Sequence, residues 1–334
     1  MKSKTPDLTA ALLLGLAANT LLRTQSGYWA RAGLLAVLPA ALLVLAAAWL
    51  FTQCRGVLEL IPLRWAFCAL LAYSSVLELL RLWRLFGTVY PSAVTLFGIC
   101  ATVLLPVIYL RRGNAIGQTA NVLLVLLGVA TAFMLLSVAP RLLVTNLQAG
   151  TTNADVQDAL RGQAVLYPEL LLPALWCGKE PTHKTTRTLA LLAGFSAALD
   201  AGAHLLLELF FGMASAQPEN PVHSIARTGA LSVFHRMEWI QLLLWSAIVT
   251  IKLAVYLYAI VRLGGGRNGK TADNAVGLDR FPAYFAVMAF LCLLLKSVEL
   301  AQAFAWRNIF CWVLAGVTVL GGAVKWLLKK PNSA

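Results

Sequence analysis

Residues Arg236–Arg262 read RMEWIQLLLWSAIVTIKLAVYLYAIVR, an apolar run with Glu238 near its start and Lys252 inside it. The run is long enough to cross a bilayer, since a helix needs about 20 apolar residues for about 30 Å of hydrocarbon. A charge at that depth costs on the order of 2.5–3.5 kcal/mol even on lenient insertion scales. Lys252 is therefore expected to face a partner, a cavity or a transport path rather than lipid. At about 100° per residue, Glu238, Trp245, Lys252 and Tyr256 share one stripe, so the stretch predicts a membrane helix with a polar seam.

The rest of the 334-residue chain has the same character, being 60% hydrophobic and only 12% charged. Apolar runs at roughly 8–22, 32–53, 60–80, 88–110, 116–138, 163–177, 188–212, 238–262, 281–302 and 308–328 predict an all-α polytopic membrane protein forming a single transmembrane domain. A membrane β-barrel does not fit, because the runs lack its alternation and are about twice the length its strands need. The first and sixth runs are too short to be ordinary straight spans.

A net charge of +13 suggests nucleic acid in a soluble chain, but here the distribution of charge decides otherwise. With ten spans and a cytoplasmic N-terminus, sixteen Lys and Arg residues fall in inside segments and nine in outside segments. That bias predicts both termini in the cytoplasm and no nucleic-acid partner. Lys2 and Lys4 ahead of Leu8–Leu22, with Ala30-Arg31-Ala32 beyond, imitate a cleaved signal peptide. An uncleaved first span is expected instead, since it keeps the span number even and the charge bias coherent.

No connection has room for an ATPase domain, and Gly264-Gly265-Gly266 without a following Gly-Lys-Ser/Thr reads as a linker. Cys54, Cys68, Cys100, Cys177, Cys292 and Cys311 are scattered singly, which reads as apolar filler. His183, His204, His223 and His235 show no metal-ligand spacing. The expectation is a non-enzyme with no metal and no cofactor.

Ten spans divide into five and five, over 8–138 and 163–328, and the short runs lead each half. That is the pointer for an inverted-repeat transporter whose leading helices break at mid-membrane and bind ligand there. The first break is expected in Gly15-Leu16-Ala17-Ala18-Asn19-Thr20. The second is expected near Gln163–Glu169, where Tyr167-Pro168-Glu169 sets a proline beside a carboxylate. Alternatively, Gly15 and Ala17 are close-packing residues and Pro168 starts a helix near the surface.

Other charges carry paired readings. Asp200, His204 and Glu208 recur every four residues and either relay protons or tie helices together. Lys296 and Glu299 are expected to pair with each other, and Glu78 with Arg81 and Arg84 to form an interfacial ion pair. Lys252 belongs either to a helix-to-helix ion pair or to ligand and ion coupling.

Several motifs then carry a resemblance. Val89-Tyr90-Pro91, Tyr109-Leu110-Arg111-Arg112-Gly113, Asn220-Pro221 before Ile225-Ala226-Arg227, and Arg236-Met237-Glu238 with Trp245, Lys252 and Tyr256-Leu257-Tyr258-Ala259 follow one another in span order. Gly27-Tyr28-Trp29 and Glu169 ahead of Cys177-Gly178-Lys179 complete the set. Together they resemble the endospore germination permeases, the B subunits of spore germinant receptors, within the amino acid–polyamine–organocation superfamily. Gly113 is followed by Asn114-Ala115-Ile116-Gly117-Gln118, without the acidic residue and arginine usual there.

The resemblance implies a ten-helix fold of the leucine-transporter type with helices 1 and 6 broken. Such a protein senses a small germinant, typically an amino acid, in the inner spore membrane, with both termini on the spore core side. Its implied partners are a receptor A subunit and a lipoprotein C subunit. In that fold spans three and eight wall the pocket. The expected ligand-binding set is then Gly15, Ala17, Asn19, Tyr73, Ser74, Tyr167, Glu169 and Trp245, with Glu169 taking the ligand ammonium or serving a neighbouring helix. A stand-alone amino-acid permease is the alternative.

Overall fold

The computed structural model describes residues 7–22, 30–90, 95–147, 153–176, 183–212, 221–228, 230–231, 234–235, 238–264 and 276–328. Among these the regular elements are helices, apart from an antiparallel ladder of two residue pairs, Ala230–Leu231 with Phe234–His235. The helices are α1 (Thr9–Leu21), α2 (Ala30–Gln53), α3 (Ile61–Val89), α4 (Leu96–Val107), α5 (Gly113–Val138), α6 (Asn153–Gln163) and α7 (Pro168–Leu171). They continue with α8 (Pro173–Trp176), α9 (His183–Phe211), α10 (Pro221–Thr228), α11 (Glu238–Gly264), α12 (Phe281–Leu295) and α13 (Leu300–Leu328).

Among the described residues, seven helices are long and apolar enough to cross a membrane: α2, α3, α5, α9, α11, α12 and α13. α1 and α4 are shorter apolar helices. The outer faces are apolar too, as at Leu35, Leu38 and Leu42 of α2 and Val122, Val125 and Val129 of α5, all exposed. A water-soluble protein does not carry exposed apolar stripes of that extent, whereas lipid accommodates them.

α11 is the axis of the fold. It packs against α3, α1, α5 and α4, while α2 lies on α9 and α6 and α13 lies on α3. Of the most apolar stretch of α11, 72% is buried against protein, compared with 17% in α5 and in α12. Local chemistry sets several helix ends. Pro62 and Pro282 sit in the first turns of α3 and α12, where no N–H is required. The Thr95 side chain accepts the Gly98 N–H to cap α4. Asp7 Oδ1 accepts the Thr9 N–H at 3.1 Å ahead of α1, and hydrogen bonds from Thr9 hold the Asp7 carboxyl below its usual value. Gly212, at φ 58°, closes α9 in the left-handed region that a side chain disfavours.

Three boundaries named here differ from the sequence reading and one expected break is present. α1 runs unbroken from Thr9 to Leu21, so the break expected in Gly15–Thr20 is not there; Gly15 serves close packing instead. The break in the sixth run is present: Ala164–Tyr167 is non-helical between α6 and α7, with Leu166 and Tyr167 buried. α3 continues nine residues beyond the expected end at 80, because no breaker intervenes before Tyr90 and Pro91. The ninth run ends at Leu295 and the last helix starts at Leu300, placing the interruption at 296–299 rather than 303–307. Arg84 fastens that interruption by donating to the Val298 carbonyl at 2.5 Å.

Candidate functional site

The seam of α11 leads directly to the site. Trp245, Lys252 and Tyr256 are all buried, while the side chain of Glu238 lies outside the described residues. Lys252 Nζ donates to Asn19 Oδ1 of α1 at 2.6 Å and to Glu78 Oε1 of α3 at 2.8 Å. It also lies 2.8 Å from Glu169 Oε1 of α7. Four elements distant in sequence therefore meet on one ammonium. An ion at membrane depth loses its hydration, and only close opposite charges and hydrogen bonds offset that loss.

Each carboxylate has further donors. Tyr256 O–H donates to Glu169 Oε1 at 2.6 Å, and Asn19 Nδ2 to Glu169 Oε2 at 3.1 Å. Glu78 accepts from Arg307 Nη1 of α13 at 3.3 Å and pairs through its other oxygen with Arg81, one turn along α3. Arg81 and Arg307 both lie against the ring of Phe304, with guanidinium carbons 5.0 and 4.7 Å from its centroid, and Arg307 also faces Tyr167 at 5.5 Å. None of Glu78, Arg81, Glu169, Lys252 and Arg307 is more than 4% exposed.

The unwound Ala164–Tyr167 segment holds Glu169 in place. Its free backbone groups are taken up by α13: Asn308 Oδ1 accepts the Leu166 N–H at 2.9 Å, and Trp312 Nε1 donates to the Ala164 carbonyl at 3.1 Å. This is how non-helical backbone survives at depth, by burial in protein with its hydrogen bonds met. From the other side Gly15 presses on the carboxylate. A Cβ there would stand 2.9 Å from Glu169 Cγ, closer than carbon atoms pack.

Of the expected ligand set, Gly15, Asn19, Tyr167 and Glu169 come together around this centre. Ala17 is fully buried in α1. Ser74 is fully buried one turn before Glu78, and its Oγ lacks a hydrogen-bond partner among the described residues. Tyr73 instead donates to the Ala303 carbonyl at 3.1 Å. Trp245 lines a separate, largely apolar pocket between α1, α5, α10 and α11.

Two charge readings are overturned. Glu78 and Arg81 are not an interfacial pair but core members of the centre, since α3 runs on past them. Lys296 stacks over Trp83 at 5.5 Å rather than pairing with Glu299. Arg307 was missed altogether, having been read as part of an external loop. Its signal was the period of Leu300, Ala303, Arg307, Cys311 and Leu314, all buried on one face of α13.

A second polar group lies along α9. Asp200 accepts from Thr20 Oγ1 at 3.0 Å and His204 shares a 2.9 Å contact with Gln163, tying α9 to α1 and α6. Glu208 is buried with Oε2 unpartnered among the described residues.

Fold and site thus define a helical chain whose helices, seven of them among the described residues long and apolar enough to cross a membrane, gather around a buried centre of five charged residues. Compared with models of known protein families and with curated proteins, the sequence matches none.

Proposed function

We propose that this chain is the ligand-sensing membrane subunit of a spore germinant receptor, with ten crossing helices in two inverted five-helix repeats. It sits in the inner spore membrane beside a receptor A subunit and a lipoprotein C subunit, and it binds a small zwitterion such as an amino acid. The supporting observation is that Asn19, Glu78, Glu169 and Lys252, from the first, third, sixth and eighth apolar runs, meet on one ammonium beside unwound backbone. We assign it no catalytic step.

Lys252 and Glu169 are bonded to each other and to Asn19, Glu78 and Tyr256. A zwitterion enters by exchanging partners: its ammonium takes the place of Lys252 at Glu169, and its carboxylate takes the place of Glu169 at Lys252. The exchange conserves charge, so its cost in desolvation is small beside that of opening an unpaired ion. Gly15 is the gauge of this fit. Gly15→Leu displaces the Glu169 carboxylate rather than filling an empty space, and is expected to lower both ligand response and protein stability.

The deciding experiment uses the purified chain in proteoliposomes with each of the amino acids in isotopically labelled form. Saturable binding without accumulation supports the sensor, and a Lys252→Met variant should weaken it at least tenfold. Accumulation inside the vesicles would make the chain a stand-alone permease. No binding by any amino acid would remove the zwitterion from consideration.

A further inference from the structure

The charges of the centre do not balance. Lys252 Nζ stands within 2.8 Å of acceptors on Asn19, Glu78 and Glu169, three contacts that match the three donors of a lysine ammonium. Arg81 and Arg307 do not lose their protons in proteins. Tyr256 donates its hydroxyl proton to Glu169 and is therefore neutral. Among the described residues of the centre, Glu78 and Glu169 stand against three cations, and one positive charge is left over where no member is more than 4% exposed.

The surplus is localised. Both guanidinium groups share Glu78 and flank the Phe304 ring, which holds like charges together. The Nε atoms of Arg81 and Arg307 are buried and make no hydrogen bond to any described residue. Ser74 Oγ, one turn before Glu78 on the same face of α3, is likewise buried and unpartnered. Buried donors without acceptors cost about 1–3 kcal/mol each, more when charged, and natural structures leave few of them.

We propose that the Arg81–Arg307 end of the centre binds one monovalent anion, either a free halide or the carboxylate of a small ligand. The two Nε–H groups supply charge-assisted hydrogen bonds and Ser74 the neutral one. Monovalency follows from the surplus of a single charge, because a dianion would leave the buried centre negative by as much as it is now positive. In its halide form the site stands apart from the germinant reading, whereas in its carboxylate form it rests on that reading and places the ligand's carboxylate at the arginines rather than at Lys252.

The test is thermal unfolding of the full chain in detergent at constant ionic strength, with a bulky sulfonate as the inert salt. Chloride, bromide, acetate and sulfate are each titrated in. A saturable rise of on the order of 5 °C with the monovalent ions is expected once they are well above their dissociation constant. A response to halides alone identifies a free halide, and a response to acetate and amino acids alone identifies a ligand carboxylate. Arg307→Gln equalises the charges and is expected to abolish the rise. Should that variant fail to fold, anomalous scattering from bromide in crystals of the unmodified protein decides, with density expected within hydrogen-bonding reach of both arginines. No saturable response in the unmodified protein overturns the proposal. An undiminished response in folded Arg307→Gln, an equal response to sulfate, or no bromide density between the arginines would do so as well.

Discussion

The charged centre around Lys252 and the polar row on α9 are built by opposite means, and α1 serves both. Asn19 turns to Lys252 and Glu169, while the adjacent Thr20 turns to Asp200. In the centre, ions of both signs from three long helices and one short helix bond directly to each other. Along α9 the ionisable groups Asp200 and His204 include neutral side chains, Thr20 and Gln163, among their partners. Removing one ion from the centre strands the others at depth. Removing the Thr20 hydroxyl from the row breaks one hydrogen bond between helices.

The largest effect is therefore expected at Glu78, which accepts from three cations. Glu78→Gln leaves Arg81, Arg307 and Lys252 facing Glu169 alone, and a loss of ~5 kcal/mol should show as near absence of folded protein in detergent. Folded, stable Glu78→Gln protein would place the centre closer to water than its burial indicates.

Lys252→Met comes next, at ~3 kcal/mol, because Glu169 keeps only the neutral donors Tyr256 and Asn19. Adding Glu169→Gln should restore part of that loss, so that unfolding of the single and double variants yields a coupling energy above ~1 kcal/mol. Strict additivity would show that the two residues are neighbours without being partners.

Tyr256→Phe removes one hydrogen bond to an ionised carboxylate and is expected to lower stability by ~2 kcal/mol in the same assay. The α9 row should respond least. Thr20→Val breaks its bond to Asp200 for ~1 kcal/mol, with the centre's ligand binding unchanged. If Thr20→Val instead weakened ligand binding as strongly as Tyr256→Phe, the two regions would be one coupled site rather than two.

Charge within an apolar run hides the helix that carries it. Hydropathy ends the third run at residue 80 and leaves Arg307 between the last two runs, because each lies where charge interrupts the apolar sequence. In the structure α3 and α13 pass straight through those charges, since Glu78, Arg81 and Arg307 satisfy one another. Glu169 and the break before it were legible, because Pro168 cannot supply an N–H and few residues but a proline interrupt so apolar a run. The break expected near Gly15 was not there, since a glycine in a helix serves close approach as readily as unwinding.

The sequence alone determined that this chain is helical and apolar enough to lie in a membrane, and that Lys252 must have a partner. Both follow from hydropathy, period and the cost of a buried charge, which are properties of a segment taken by itself. Which residues answer Lys252 was decided only by tertiary structure. Asn19, Glu78 and Glu169 lie 233, 174 and 83 positions away along the chain, and nothing local in those segments distinguishes a charge that reaches the interface from one drawn inward. Packing of α1 and α3 against α11, with α7 lying on α1 and α3 and α13 on α3, settles it, because a charge is stable at depth only where another helix brings its counterpart within hydrogen-bonding distance.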